Sequence, residues 1–329
     1  MIKYLLLYPI TLLFSVVVYV RNALYDWGVL SSVNSKLPII SIGNIQVGGT
    51  GKTPFVIALS KKLIQNNIKP IIITRGYKRN TKNQIILDNH KKYLAQEVGD
   101  EPYYMKQELI NVIIIVDNNK KNAIKTANKL NGVDCILMDD GFQSRYINRN
   151  IDVVLTSFAQ VKNFSLMPFG SFREPISSLK RADFIYKTKD GNAKKNNLKI
   201  NFMCHEYKKG AILKNAQKEP VDIISKIKSP VVAFCGIANS TYFINTLKEL
   251  EINVEKEINF ENHTKYDAKK YAKLKKINPN NLSFITTYKD FVKLDQSFIN
   301  NYTIYVIVIK FELNDDKLIN QIKQLINEN

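Results

Sequence analysis

The stretch Ser41-Ile42-Gly43-Asn44-Ile45-Gln46-Val47-Gly48-Gly49-Thr50-Gly51-Lys52-Thr53-Pro54 decides how the fold is read. Before it, Leu37 to Ile42 is a short apolar run of the kind that forms a buried parallel strand. After it, Phe55 to Ile64 carries apolar residues at helical spacing. Strand, Gly-rich loop, Lys-Thr and helix, in that order, make a phosphate-cradling P-loop. The glycines let backbone N–H groups turn inward around phosphate oxygens, and the helix N-terminus adds partial positive charge. The expected ATP-binding residues are Gln46, Val47, Gly48, Gly49, Thr50, Gly51, Lys52 and Thr53. Lys52 is expected on the β- and γ-phosphates, and the Thr53 hydroxyl on Mg²⁺. The common pattern G-x-x-x-x-G-K-[ST] has Gly where this chain has Gln46, so a plain Gly-rich turn before a helix is the competing reading.

Outward from that loop the pattern is α/β. Pro70 to Thr74 reads as a second buried strand, ending in Arg75-Gly76-Tyr77-Lys78-Arg79. Basic residues at a strand's C-terminal end lie on the ligand edge of an open α/β sheet, so Arg75, Lys78 and Arg79 suit an anionic substrate. Val98-Gly99-Asp100-Glu101-Pro102 opens a helix, and by position alone Asp100 reads as its N-cap. Val112 to Val116 is a third strand, followed by a helix over Lys120 to Leu130. Cys135 to Asp140 is an apolar strand ending in two acids, the Walker B shape that puts Asp139 and Asp140 on Mg²⁺ or its water shell. Ile151 to Thr156 and Phe184 to Lys187 read as further strands. In the loop between them, Arg173 and Glu174 offer a phosphate or metal contact, with a surface ion pair as the alternative.

Tyr4 to Val20 carries no charge and is bracketed by Lys3 and Arg21. At 1.5 Å per residue it makes roughly 25 Å of helix, just short of the bilayer core. Tyr19-Val20-Arg21-Asn22 is a poor signal-peptide cleavage site. A helix lying in the cytoplasmic leaflet, with Arg21, Tyr25 and Trp27 as interface anchors, fits better than a span or a soluble core helix. Lys plus Arg number 48 against 29 Asp plus Glu, a net charge of +19 that attracts polyanions or an anionic membrane surface. Cys135, Cys204 and Cys235 are scattered within apolar runs, as buried thiols are, and form neither a disulfide framework nor a zinc site.

The polar run 188–197 marks a domain boundary. The expected layout is a membrane-associated helix over 1–30, a P-loop kinase-type parallel sheet over 31–190, a linker over 191–215 and a smaller α/β domain over 216–329. Lys199 to Cys204 and Ala211 to Lys214 suggest a hairpin in the linker. In the last domain, strands are expected at 230–236, 282–286 and 303–311, with helices at 242–250 and 315–326.

With these blocks laid out, the chain resembles the tetraacyldisaccharide 4'-kinase family, the lipid A kinases of the bacterial inner membrane. The resemblance runs through the N-terminal apolar helix, Ser41-Ile42-Gly43-Asn44, Val47 to Pro54, Thr74-Arg75-Gly76-Tyr77, 98–102 and Asp139 to Gln143. It continues through Arg173-Glu174-Pro175, 233–237, 260–266 and Thr287-Tyr288-Lys289-Asp290. It implies transfer of the ATP γ-phosphate to the 4'-hydroxyl of a tetraacylated disaccharide 1-phosphate, with Mg²⁺, at the cytoplasmic face of the inner membrane. It also implies that Asp100 is the base on the sugar hydroxyl, with His263 as its partner. Lys52 is then catalytic, Thr53, Asp139, Asp140 and Glu174 are metal positions, and Arg75, Lys78, Arg79 and Arg173 serve the substrate phosphate or the transferring group. The family also lacks the first Gly that Gln46 replaces. Asn262-His263-Thr264-Lys265-Tyr266 departs from its Asp-His-His pattern, and Tyr288 replaces its Glu.

The partners expected are the lipid disaccharide and an anionic membrane, with no nucleic acid and no obligate protein. A rival reading is a membrane-recruited P-loop NTPase acting as a nucleotide switch. Asn118-Asn119-Lys120 lacks the Asp of an N-K-x-D guanine reader, which counts against it. A nucleic-acid binder would interleave aromatics with Lys and Arg, whereas the Tyr and Phe here lie mostly in core runs.

Overall fold

A computed structural model describes residues 2–77, 79–157, 163–188, 198–207, 227, 230–237, 239–262 and 264–328, with side chains left out at 2–6 and 198–207. The chain divides into two compact units: residues 1–200 with 311–329, and residues 201–310.

The first unit is built on a seven-stranded sheet. Its strands are β1 (Ile39–Gly43), β2 (Pro70–Thr74), β3 (Ile85–Leu87), β4 (Ile114–Val116), β5 (Cys135–Asp139), β6 (Ile151–Thr156) and β7 (Phe184–Lys187), in the order β3-β4-β2-β5-β1-β6-β7. All neighbours run parallel except β3, which pairs antiparallel with β4 at one edge. β1, β2, β4, β5 and β6 are buried along their whole length. Their Ile and Val runs are what two covered faces demand. β5 inserts between β1 and β2, so the acids that end β5 rise directly beside the loop that leaves β1.

Helices cover the faces. α2 (Lys52–Gln65) buries Phe55, Val56, Leu59 and Leu63. At roughly 1.5–3 kcal/mol per large apolar side chain, this face outweighs the weak start of a helix with a Gly cap. α5 (Lys120–Ala127) places Ala123, Ile124 and Ala127 against Ile71, Ile73, Ile115, Ile136 and Met138 of the sheet. Asn119 caps it, accepting from the N–H groups of Lys121 and Asn122.

α1 (Ile2–Asp26) is one helix with Pro9 inside its first turns. Its Val18 is buried in a cluster with Ile45, Phe142, Val154, Leu166 and Phe172. Thr11 and Asn22 lie on the same buried stripe, while Tyr8, Ile10, Leu12, Leu13, Val16, Val17, Tyr19 and Val20 are all more than half exposed. By length and composition, Leu7–Asp26 is apolar enough to cross a membrane. The last helix, α10 (Asp316–Asn327), follows a sequence pattern that groups it with the second lobe. Its contacts lie instead in the first unit, where the Tyr186 hydroxyl donates to its N-cap Asp315 at 2.8 Å.

The second unit carries a five-stranded sheet, order β10-β9-β11-β12-β8, from β8 (Leu198–Tyr207), β9 (Val231–Cys235), β10 (Val254–Asn259), β11 (Ser283–Thr287) and β12 (Ile304–Leu313). The chain passes from one unit to the other within β8 and again within β12. The first strand of the expected hairpin linker falls in β8; its second, 211–214, lies outside the described residues. Asp290 is fully buried and accepts from the Gly236 N–H at 3.0 Å and the Thr287 hydroxyl at 2.8 Å. Two of the family-like blocks, 233–237 and 287–290, are thereby joined.

Candidate active site

The loop Asn44–Gly51 leaves β1 and is held by side chains on several sides. Asn44 Nδ2 donates to the Thr50 hydroxyl at 2.9 Å, and the Thr188 hydroxyl donates to the Thr50 carbonyl at 2.8 Å. Gln46 clamps the Ser157 backbone, Nε2 donating to its carbonyl at 3.1 Å and Oε1 accepting from its N–H at 3.3 Å. A glycine has no group for that clamp. The Val47 N–H donates to the Ser171 carbonyl at 2.7 Å. The Gln46 side chain and the Val47 amide are therefore committed to building the loop. Among the described residues, the amides of Gly48, Gly49, Gly51, Lys52 and Thr53 meet no backbone acceptor. With the N-terminus of α2 they form an anion cradle. Gly51 has φ 84°, and a Cβ there would sit 2.7 Å from the Phe311 ring.

At the mouth of the loop, Asp140 gathers the cations. Lys52 Nζ lies 3.3 Å from Oδ1, and Arg173 Nη1 donates to Oδ1 at 2.9 Å and Oδ2 at 3.1 Å. Burial works to raise the Asp140 carboxyl, but Lys52, Arg173 and Lys120 together hold it well below the usual carboxylate range. The turn that carries it is unusual, with Asp140 at φ 51°. Lys120 braces that turn from beneath. Fully buried, its Nζ donates to the carbonyls of Asp139 at 3.0 Å and Asp140 at 2.5 Å and to the Ser144 hydroxyl at 3.4 Å. Burial lowers the Lys120 ammonium to about 8, with Asp140 opposing.

Asp139 is the contrasting partner. It is buried, and Oδ2 accepts from the Thr74 hydroxyl of β2 at 2.9 Å, while Oδ1 has no hydrogen-bond partner. Burial first, then the charges of Glu101 and Asp140, push its carboxyl up to about 6. An orphaned buried carboxylate oxygen beside an ionised Asp, with the Thr53 hydroxyl next to Lys52, is a donor set that fits Mg²⁺. Among the described residues no three His, Cys, Asp or Glu side chains gather into a metal cage. Mg²⁺ needs none, since it takes one or two carboxylates and completes its shell with water and substrate phosphate.

Glu174 stands apart from these acids. It is fully buried, and Arg21 Nη2 donates to Oε1 at 3.3 Å, Asn22 Nδ2 to Oε2 at 3.2 Å, and Arg181 Nη2 to Oε2. At this position, expected to hold metal, two guanidiniums and an amide occupy the carboxylate. Arg79, expected on the substrate, also has partners within the chain. Its guanidinium donates to the carbonyls of Val116 at 3.1 Å and Lys82 at 3.3 Å, so it braces backbone. Arg75 is exposed at the end of β2, and its charge is felt by Lys120. Lys78 and His263 lie outside the described residues.

Asp100 is the first residue of α4 (Asp100–Glu108) and is half-buried. The cap is Gly99, at φ 96°, so Asp100 is not the N-cap. A Cβ on Gly99 would lie 3.1 Å from Gly76 Cα, and one on Gly76 would lie 2.6 Å from the Val98 carbonyl oxygen. The two backbones touch there, which sets Asp100 beside the Arg75-Gly76 turn.

The chain is similar to known proteins over nearly its whole length. The family model described as LpxK, tetraacyldisaccharide-1-P 4'-kinase, matches residues 3–327. The chain belongs to that family. A tetraacyldisaccharide 4'-kinase from Vibrio vulnificus is 32% identical over 333 residues, covering 99% of this chain and 95% of the relative. One from Aquifex aeolicus is 31% identical over 293 residues, covering 88% and 89%. The crystal structure of the Aquifex aeolicus LpxK in complex with ATP superposes with a TM-score of 0.73 at 28% identity, covering 97% of this chain and 98% of that one. Lys120 carries no sequence signal of its role, and Thr74 is marked in the sequence only as part of the block Thr74-Arg75-Gly76-Tyr77. A Lys opening a helix looks solvated until its burial under the 139–140 turn is seen. Asn22 and Thr11 did leave a trace, as polar residues eleven apart on one face of an apolar helix.

Proposed function

We infer that this chain transfers the γ-phosphate of ATP to the 4'-hydroxyl of a tetraacyldisaccharide 1-phosphate, the reaction named by its family. The observation that carries this reading is the meeting of Lys52 and Arg173 on Asp140 at the mouth of a Gly-rich anion cradle, beside the orphaned oxygen of Asp139. Incoming phosphate oxygens compete with Asp140 for both cations. Lys52 then steadies the β/γ end, and Arg173 stabilises charge on the transferring group. Thr53, Asp140 and Asp139 are the residues that would hold Mg²⁺. When bound, Mg²⁺ neutralises charge on the β- and γ-phosphates. Asp100 takes the proton of the attacking hydroxyl, and Arg75 receives the substrate's anionic end. The pairing of His263 with Asp100 rests on the resemblance alone.

The exposed apolar face of α1 and the net charge of +19 support a monotopic seat on an anionic membrane, at the cytoplasmic face of the inner membrane where ATP is available. Asp100→Ala tests the base assignment. Turnover is expected to fall about 100-fold or more while ATP still binds. Turnover near that of the wild type removes Asp100 from the mechanism.

A further inference from the structure

The segment 164–174 lies between α1 and the P-loop and is fastened to both. On the P-loop side, the Arg173 N–H donates to the Ile45 carbonyl at 2.8 Å, the Val47 N–H donates to the Ser171 carbonyl at 2.7 Å, and Gln46 and Phe172 form a β-bridge. On the α1 side, the Phe169 N–H donates to the Thr11 hydroxyl at 3.0 Å, and the Tyr8 and Phe169 rings meet edge-on at 6.3 Å. Val18 of α1 packs in the same buried cluster as Ile45 and Phe172. The strongest fastening is Glu174, fully buried and bonded to Arg21, Asn22 and Arg181. Further along α1, Arg145 Nη1 donates to the Asn22 carbonyl at 2.8 Å and Nη2 to Asp26 Oδ1 at 2.7 Å.

A fully buried carboxylate is kept only where donors compensate its lost hydration. Here two of the three donors come from the helix whose other face is bare apolar surface. The residue before Glu174 is the arginine that holds Asp140. A shift of α1 that strains the Asn22 and Arg21 bonds is therefore passed, within one peptide unit, to Arg173 and to the backbone that frames the P-loop.

We propose that Glu174 is a positioning residue that couples the seating of the apolar helix α1 to the placement of Arg173 and the P-loop entrance. The proposal rests on the kinase reading of the site, and it makes helix placement a condition for transfer rather than a mere tether.

Asn22→Ala removes one donor and leaves Glu174 with both arginines. Assayed in detergent with the full chain, it is expected to lower kcat about tenfold with KM for ATP and lipid within about twofold. The half-saturating Mg²⁺ concentration, the melting temperature and vesicle binding are expected to stay close to those of the wild type. Glu174→Gln should show the same split between kcat and KM. The double variant should be no worse than Glu174→Gln alone, because both changes open one link.

Within the α1 and Glu174 variants, two results overturn the proposal. One is wild-type kcat in both Asn22→Ala and Arg21→Gln, a pair that decides the matter even if Glu174→Gln does not fold. The other is a raised Mg²⁺ requirement in Glu174→Gln but not in Asn22→Ala, which makes Glu174 a metal ligand. Lys52→Ala separates the failures. If it is inactive while the helix variants are normal, the coupling falls and the site stands. If it keeps full turnover, the site reading itself has failed, and the coupling with it.

Discussion

Asp139 and Asp140 are adjacent in the chain and electrostatically opposite. Asp140 sits among Lys52, Arg173 and Lys120 and stays ionised far into acid. Asp139 faces burial and two like charges, and its carboxyl is raised to about 6. A carboxyl raised on folding binds more protons folded than unfolded, so its ionisation destabilises the protein as pH climbs from about 4 to about 6. Asp139→Asn should therefore raise the melting temperature at pH 7 while abolishing transfer. The gain should shrink at pH 5, where the wild-type group is already taking up its proton; a pH series by scanning calorimetry reads both. Asp140 has the reverse sign, contributing stability above its ordinary value and losing it only in stronger acid. The two acids were legible in the sequence; their division of labour was not. It depends on Thr74, 65 residues away, and on a lysine that α5 brings beneath the turn. At the same scale, Gly51→Ala should cost about 1–3 kcal/mol through its positive φ alone. The Phe311 contact adds to that, and a fluorescent ATP analogue should lose its binding.

At the level of elements, α1 has two faces with different tasks. Val18→Ala opens the cluster shared with Ile45 and Phe172 and should cost about 1–3 kcal/mol by denaturant unfolding. Leu13→Asp with Val17→Asp alters only exposed positions and should leave that stability nearly unchanged while sharply reducing vesicle binding. The reverse pattern would mean that the bare face is not the lipid face. Elements whose apolar runs are fully buried were readable: β2 and β6 fall where the sequence puts them. Others were hidden for physical reasons. β10, Val-Glu-Lys-Glu-Ile-Asn, is an edge strand with exposed charges and buries only Ile258. α7 (Ala268–Ile277) is half lysine and buries only Leu274, so it has almost no apolar period to detect.

For the whole molecule, the boundary near residue 190 is close to where β8 carries the chain between units. The return of 311–329 to the first unit is long-range and invisible to local pattern. The excess of basic residues predicts that binding to anionic vesicles weakens steeply with ionic strength, whereas binding through α1 alone would not. Co-sedimentation at low and high salt separates the two contributions. The most direct test is transfer of labelled γ-phosphate from Mg²⁺-ATP to a tetraacyl disaccharide 1-phosphate in detergent, with wild type beside Lys52→Ala. The expected result is a labelled 1,4'-bisphosphate from the wild type and at least about 100-fold less from Lys52→Ala. ATP hydrolysis at the same rate with and without the lipid, and no labelled lipid, would contradict it.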